Sequence, residues 1–177
     1  MSILELASLP KDWPELQYFP LPSYIGDFDW PGKQDPQDGR MYATILATLI
    51  APMSRGNVSI KSSSMQDPPL INPNWLTSQT DIDVAIAGFK RLRQIYATPA
   101  LSNVTDFQEA YPGFQVQSDK EIHQAIKESF QSMYHPSSTC KMGKQDDDSA
   151  VVDSKGQVIG IKNCELNSVF LMRPELS

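Results

Sequence analysis

The sequence predicts an α+β fold in which an antiparallel β-sheet is backed by helices. Three observations carry that expectation. Apolar residues recur at helical spacing in two stretches, one opening at Thr80 and one at Ser118. Apolar or alternating runs of strand length come before them, and after them Val151-Val152 and Val158-Ile159 flank a Ser154-Lys155-Gly156 turn. The order is therefore strands, helix, helix, hairpin, and such segregation favours an antiparallel sheet. At 177 residues the chain is expected to form one domain, with residues 1–12 and 171–177 as loose ends.

Taken in order, Trp13–Phe19 reads as an edge strand with Pro14 at its start, where a missing N–H does least harm. Residues 20–40 form a loop rich in Pro, Gly and Asp. Its aromatics Tyr24, Phe28 and Trp30, with Phe19 just before, suggest a loop packed down over something. Met41–Ala51 is the most apolar run and reads as a buried strand. Ser54-Arg55-Gly56-Asn57 is a turn, and alternation at Val58 and Ile60 makes a hairpin with one wet face. A Ser/Pro/Asn linker over 62–79 holds a short extended piece around Leu70-Ile71.

Thr80 with Asp83 approximates a capping box for the first helix. Its stripe is Ile82, Ile86, Phe89, Leu92 or Arg93, and Tyr96, and Pro99 stops it. Lys90, Arg91 and Arg93 read as a solvated face that suits the helix dipole. Residues 100–117 are irregular, with a turn at Tyr111-Pro112-Gly113. Ser118 and Glu121 form a clean capping box for the second helix, whose apolar face is Ile122, Ala125, Ile126, Phe130 and Met133. His123 lies off that stripe and reads as exposed. Asp146-Asp147-Asp148 reads as a turn with solvated charge, since no further ligands stand at calcium-loop spacing, and no metal site is expected.

Composition narrows the partners. A net charge of −6 argues against nucleic acid and against an anionic membrane surface. No run of 18 apolar residues exists to span a bilayer. The start Met1–Leu6 lacks the basic region and apolar run of a secretory signal, so a cytoplasmic location is expected; Cys140 and Cys164 could pair, but thiols in a protein without export signals are more often free.

The stretch Tyr134-His135-Pro136-Ser137-Ser138-Thr139-Cys140-Lys141-Met142-Gly143 joins the second helix to the closing hairpin and carries one of only two histidines. Loops on rigid scaffolds are where chemistry is usually placed, and His is the side chain that titrates near neutrality. The bland alternative is a helix-end cap satisfied by neighbouring carbonyls. The company of His135 changes that weighing. His-Pro-Ser-Ser-Thr-Cys-Lys-Met-Gly resembles the His-Pro-x-Gly-Thr-Cys-x-Met-Gly segment of the glucose–methanol–choline (GMC) flavoprotein oxidoreductases. Ala150–Asp153 and Gly160–Cys164 resemble that family's later hairpin, and Asn167-Ser168-Val169-Phe170 stands where it reads "DASvfP". Upstream, Pro52-x-Ser54-Arg55-Gly56-x-Val58 is similar to "P.SRG.V" and Ile71–Leu76 to "inpnYL". Order and spacing agree from Trp13 to Phe170.

The resemblance implies a substrate-binding domain built on a broad antiparallel sheet. It also implies that His135 is the base acting on a substrate hydroxyl. Tyr134, Thr139 and Cys140 would lie beside it, with Tyr42, Phe28, Trp30 and Phe170 shaping the pocket. Two departures matter. No Gly-x-Gly-x-x-Gly occurs, so no flavin-binding loop and no bound cofactor are expected. The chain also ends at Ser177, about where the family's second catalytic residue would fall, and the motif's glycine is Ser138. The expectation is therefore cofactor-free chemistry on a small apolar natural-product intermediate: proton transfer, dehydration or cycloaddition, of the isomerase or cyclase kind. The alternative is a non-catalytic ligand-binding module, or a half that complements a separate flavin subunit. A sheet face left open by a missing flavin domain would also favour a homodimer, with the aromatic loop of 20–40 near the pocket mouth.

Overall fold

A computed structural model describes residues 9, 11–26, 35–106, 108–135 and 139–166. Phe28, Trp30 and Phe170 lie outside the described residues, as do most of the stretches expected as loose ends. The chain divides into two compact units, Met1–Gln131 and Ser132–Ser177. The architecture is α+β, with small antiparallel sheets and helices.

In the first unit, β1 (Leu16–Leu21) pairs antiparallel with β2 (Thr44–Leu49), Leu16 opposite Leu49 and Leu21 opposite Thr44. β1 starts later than expected and runs through Pro20. Ladder alternation permits this. The Ile50 N–H donates to the Glu15 carbonyl at 2.9 Å, so the hydrogen-bonded pairs continue at Gln17 and Phe19. Pro20 takes a position whose N–H would face away from the partner strand. β2 is shorter than the Met41–Ala51 run and only half-buried, and Met41 is 99% exposed. The reason is that helix α1 (Gln79–Tyr96) packs on one face of the pair, its Gly88 position against Leu16 and Ala47.

The start of α1 differs from the sequence reading. The N-cap is Ser78, whose hydroxyl accepts from the Thr80 N–H, and Asp83 takes the Gln79 amide instead of closing a capping box. Tertiary demand explains the shift. Thr80 and Asp81 are both 2% exposed, and the Asp81 carboxylate accepts the Met53 N–H at 2.7 Å and the Ser54 N–H at 2.8 Å. The Ser54 hydroxyl donates to Asp81 and accepts from the N–H groups of Thr77 (3.0 Å) and Ser78 (2.9 Å). The first turn of α1 thus grips the Pro52–Gly56 loop. Ser54→Ala would strand two backbone donors and one lone pair of a buried carboxylate. Each such unmade bond costs about 1–3 kcal/mol, so a large fall in the urea midpoint is expected; an unchanged midpoint would refute the grip.

The grip turns the chain outward before β3 (Asn57–Ser59). The hairpin expected there pairs forward with β4 (Leu70–Asn72), Val58 opposite Ile71, and not back with β2. Gly56 closes the base of this ribbon, because a Cβ there would stand 2.3 Å from the Asn72 carbonyl oxygen. Neither face of the ribbon is buried: Val58 is 68% and Ile71 67% exposed.

Pro99 does more than stop α1, since it opens a short helix α2 (Pro99–Ser102). Helix α3 (Asp119–Ser129) has the capping box read from the sequence, with Glu121 accepting the Ser118 N–H at 2.9 Å and Ser118 accepting the Glu121 N–H. The Ser118 N–H, then the Ser118 hydroxyl and the Gln117 N–H, donate to the Glu121 carboxylate and hold it below its usual range. Ile122 and Ala125 are buried as expected, and with Val84 they are the buried apolar side chains of the first unit among the described residues. His123 is half-buried, not exposed as its place off the stripe suggested, because α3 lies against α1.

Arg93 is the largest departure. Expected on a solvated face, its side chain is 20% exposed and pairs with Glu109, at 16%. Its Nε and one terminal nitrogen donate to the two Glu109 oxygens at 2.8 Å each. Further donations reach the carbonyls of Val116 (2.7 Å) and Gly113 (3.2 Å), and the guanidinium lies 4.7 Å from the centre of the Phe89 ring. One side chain thereby ties the irregular 109–116 stretch to α1.

Candidate functional site

The histidine motif opens the second unit. Tyr134 and His135 are displayed, and the motif from Lys141 onward is anchored. Tyr134 has a positive φ of 57°, in the left-handed region that costs a bulky residue energy, and its N–H is satisfied by the Ser132 hydroxyl at 3.0 Å. Tyr134 is 78% exposed, and His135 beside it is exposed too. Residues 136–138 are outside the described set. Thr139 is exposed and Cys140 half-buried, its thiol free.

From Lys141 onward the motif is fastened to Val152, which is fully buried. The Lys141 carbonyl accepts from the Val151 and Val152 N–H groups, and the Gly143 N–H donates to the Val152 carbonyl at 2.9 Å. Val152 also bridges to Val158, so the expected hairpin around Gly156 is present as isolated bridges. Gly143 is demanded by space: a Cβ would stand 2.8 Å from Ala150 Cβ and 2.9 Å from Asp147 Oδ2.

Asp147 is not merely a solvated charge. Lys141 Nζ donates to it at 2.8 Å and to the Ser149 hydroxyl at 2.6 Å, and Ser149 in turn donates to Asp147. Lys141 above all, then Ser149, holds the Asp147 carboxyl far below the ordinary carboxylate range. A depressed folded pKa stabilises the fold above the unfolded value, about pH 4 for Asp, and that contribution is lost as pH falls toward the folded value. Asp147→Asn is therefore expected to be less stable than the parent at pH 7, with the gap closing in acid. Urea titrations at a series of pH values will read it, and a gap that widens in acid would contradict the assignment. Among the described residues no group of three His, Cys, Asp or Glu gathers to hold a metal.

Tyr42 belongs to the first unit. Its hydroxyl donates to Asp38 at 2.6 Å, which raises the Tyr42 pKa and lowers that of Asp38. Its ring meets Tyr24 edge-on, with centroids 5.2 Å apart. The hydroxyl is thus already engaged, and what Tyr42 has to offer a ligand is an aromatic edge. Sequence reasoning missed a second aromatic pair. Trp75 stands edge-on to Phe130 at 5.6 Å and is 51% exposed. It is held between Asn74 (φ 47°) and Leu76 (φ 53°). The signal was the Ile71–Leu76 segment that resembles "inpnYL", in which Trp75 takes the aromatic position; nothing local in it points to Phe130.

A family model described as GMC oxidoreductase matches residues 52–166. The chain is 46% identical over 170 residues to Dehydrogenase pyvF of Aspergillus violaceofuscus, covering 96% of this chain and 26% of that protein. It is 44% identical over 156 residues to Patulin synthase of Aspergillus clavatus, covering 88% of this chain and 25% of that one. An FAD-dependent oxidoreductase from Chaetomium thermophilum superposes with a TM-score of 0.60 at 28% identity, over 72% of this chain and 22% of its own. The chain spans about a quarter of the length of the curated relatives it matches. A flavin dinucleotide does not fit the residues described here. Both two-stranded ladders are antiparallel, whereas a pyrophosphate cradle is built on a parallel strand–helix–strand unit with a glycine-rich turn. Among the described residues no helix is long and apolar enough to cross a membrane.

Proposed function

The chain belongs to the GMC oxidoreductase family, as a member of its C-terminal domain, and from that premise we propose that it forms the substrate-facing part of a GMC-type alcohol-oxidising enzyme. The observation that carries the reading is His135: an exposed imidazole on a loop whose following residues are bonded to a buried valine. A base must be reachable by the proton it takes and held still while taking it. The chain's own residues would receive a small, largely apolar alcohol and accept its hydroxyl proton at His135. In this reading the oxidant would be a flavin held by another region of polypeptide. The substrate class, an oxygenated fungal-type natural product, draws on the relative named for patulin.

A second reading keeps the same histidine and dispenses with the acceptor: isomerisation, dehydration or ring closure by proton transfer and orientation alone. Its support is limited to the sequence, in which no Gly-x-Gly-x-x-Gly occurs. Product mass separates the two. The full chain is placed in the position of the matched quarter of the 46%-identical dehydrogenase and given that enzyme's substrate; the chain alone is tested in parallel. The first reading expects a product two hydrogens lighter from the graft and none from the chain alone. Turnover by the chain alone, to a product of unchanged mass or lacking water, would replace it with the second.

A further inference from the structure

Two tripeptides that the candidate site does not use share one pattern, Asn57-Val58-Ser59 and Asn103-Val104-Thr105. Each reads Asn-x-Ser/Thr with x other than proline, the acceptor sequence for an N-linked oligosaccharide. A pattern this short arises readily by chance, so its placement in the fold carries the inference. An asparagine whose amide ties the backbone together is not free to take a sugar. Asn74 is of that kind, half-buried and donating its amide to the Arg55 carbonyl at 3.2 Å. Asn57 and Asn103 are the opposite. Both are exposed, and neither side-chain amide makes a hydrogen bond among the described residues.

The surroundings of each acceptor are firm at the root and open at the tip. Asn103 is the C-cap of α2, and Thr105 behind it is fastened to the Leu101 carbonyl by its N–H at 3.0 Å and its hydroxyl at 3.1 Å. Val104 between them is 76% exposed. Asn57 opens β3, rooted by the Ser54–Asp81 grip, and shares one face of the β3–β4 ribbon with Ser59 and Leu70. That ribbon carries the exposed apolar side chains Val58, Ile60, Leu70 and Ile71 close together. Grouped apolar surface of this sort invites association, and a bulky, solubilising chain at its base opposes it.

We propose that Asn57 and Asn103 are acceptors of N-linked oligosaccharide. The co-reactant is a lipid-linked oligosaccharide, and the side-chain amide nitrogen attacks its anomeric carbon. A C–N bond forms there, and the C–O bond to the polyisoprenyl pyrophosphate breaks. The pyrophosphate leaves with the electron pair, the amide proton passes to a base of the transferase, and nothing is oxidised or reduced. The polypeptide is then made in a compartment that holds this donor, against the cytoplasmic location expected from Met1–Leu6. The proposal stands apart from the reading of His135.

The test begins with the intact mass of the protein purified from the cells that make it. The expected mass exceeds that of the polypeptide by two oligosaccharides and returns to it, but for two amide-to-acid conversions, on treatment with peptide-N-glycosidase. In heavy-oxygen water the same enzyme should leave labelled aspartate at the two acceptors, in the tryptic peptides Gly56–Lys61 and Gln94–Lys120. Mapping on the unaltered protein needs no variant to fold. Asn57→Gln and Asn103→Gln should each remove one step of electrophoretic mobility. Thr105→Ser should keep the Asn103 glycan, since it retains the hydroxyl. Asn72→Gln, exposed on the ribbon opposite Asn57 but outside any such tripeptide, should change nothing. A protein with the mass of its bare polypeptide overturns the proposal and leaves the functional reading untouched, as does sugar found only at other residues.

Discussion

Arg93→Met is expected to lower the unfolding midpoint by about 6–20 °C. The figure follows from about 3–5 kcal/mol for breaking a buried ion pair on one side, and about 2–4 °C per kcal/mol at this chain length. The pair is well shielded, its side chains 20% and 16% exposed. Removing the guanidinium leaves Glu109 charged and without either of its two donors, and takes the donor from the Val116 carbonyl, while the Gly113 carbonyl keeps the Val116 N–H. Arg93→Lys should recover little, since an ammonium cannot reproduce the planar fork or lie over Phe89 as a flat cation does. The double change Arg93→Met with Glu109→Leu should recover part of the loss, because no charge is then stranded. It should not recover all of it, because the Val116 carbonyl still lacks its donor and the Gly113 carbonyl has lost one of two. Differential scanning calorimetry on the four proteins decides the matter. If the single and double changes both cost under 1 kcal/mol, Arg93 is the solvated residue its sequence position suggested.

The second large effect is on turnover. His135→Ala in the graft should lower kcat by about 10²–10⁴-fold, the range a positioned general base contributes, while the unfolding midpoint stays within a degree or so of the parent. The separation is expected because His135 is exposed, and its imidazole makes no hydrogen bond among the described residues that the fold would miss. His123→Ala is the internal comparison. It is half-buried on α3 and remote in role, so it should cost some stability and little activity. Tyr134→Gly adds a finer test. It relieves a left-handed φ that a tyrosine adopts only at a cost, so it should raise stability slightly yet reduce kcat by loosening the histidine. If His135→Ala retains full turnover, proton transfer is carried elsewhere and the motif serves only the shape of the pocket.

The chain's local signals were legible wherever a few consecutive residues settle the outcome among themselves. Ser118 and Glu121 satisfy each other's backbone donors across three residues, so their capping box stands as read. The apolar spacing of Ile122 and Ala125 found the buried face of α3, and the His135 motif with its neighbours named the family before any fold was in view. What the tertiary structure alone decided are the places where a residue's best partner lies far along the chain. Asp81 serves Met53 and Ser54 across nearly 30 positions, and so the N-cap falls to Ser78. Arg93 reaches Glu109 and two carbonyls on a stretch with no regular structure, which no periodicity could announce. Val58 pairs forward with Ile71 because the chain is gripped just before it and cannot fold back on β2. Short-range hydrogen bonds compete only with water and can be read from neighbours. Long-range ones form only when packing has already brought their partners together, and that geometry is a property of the whole fold.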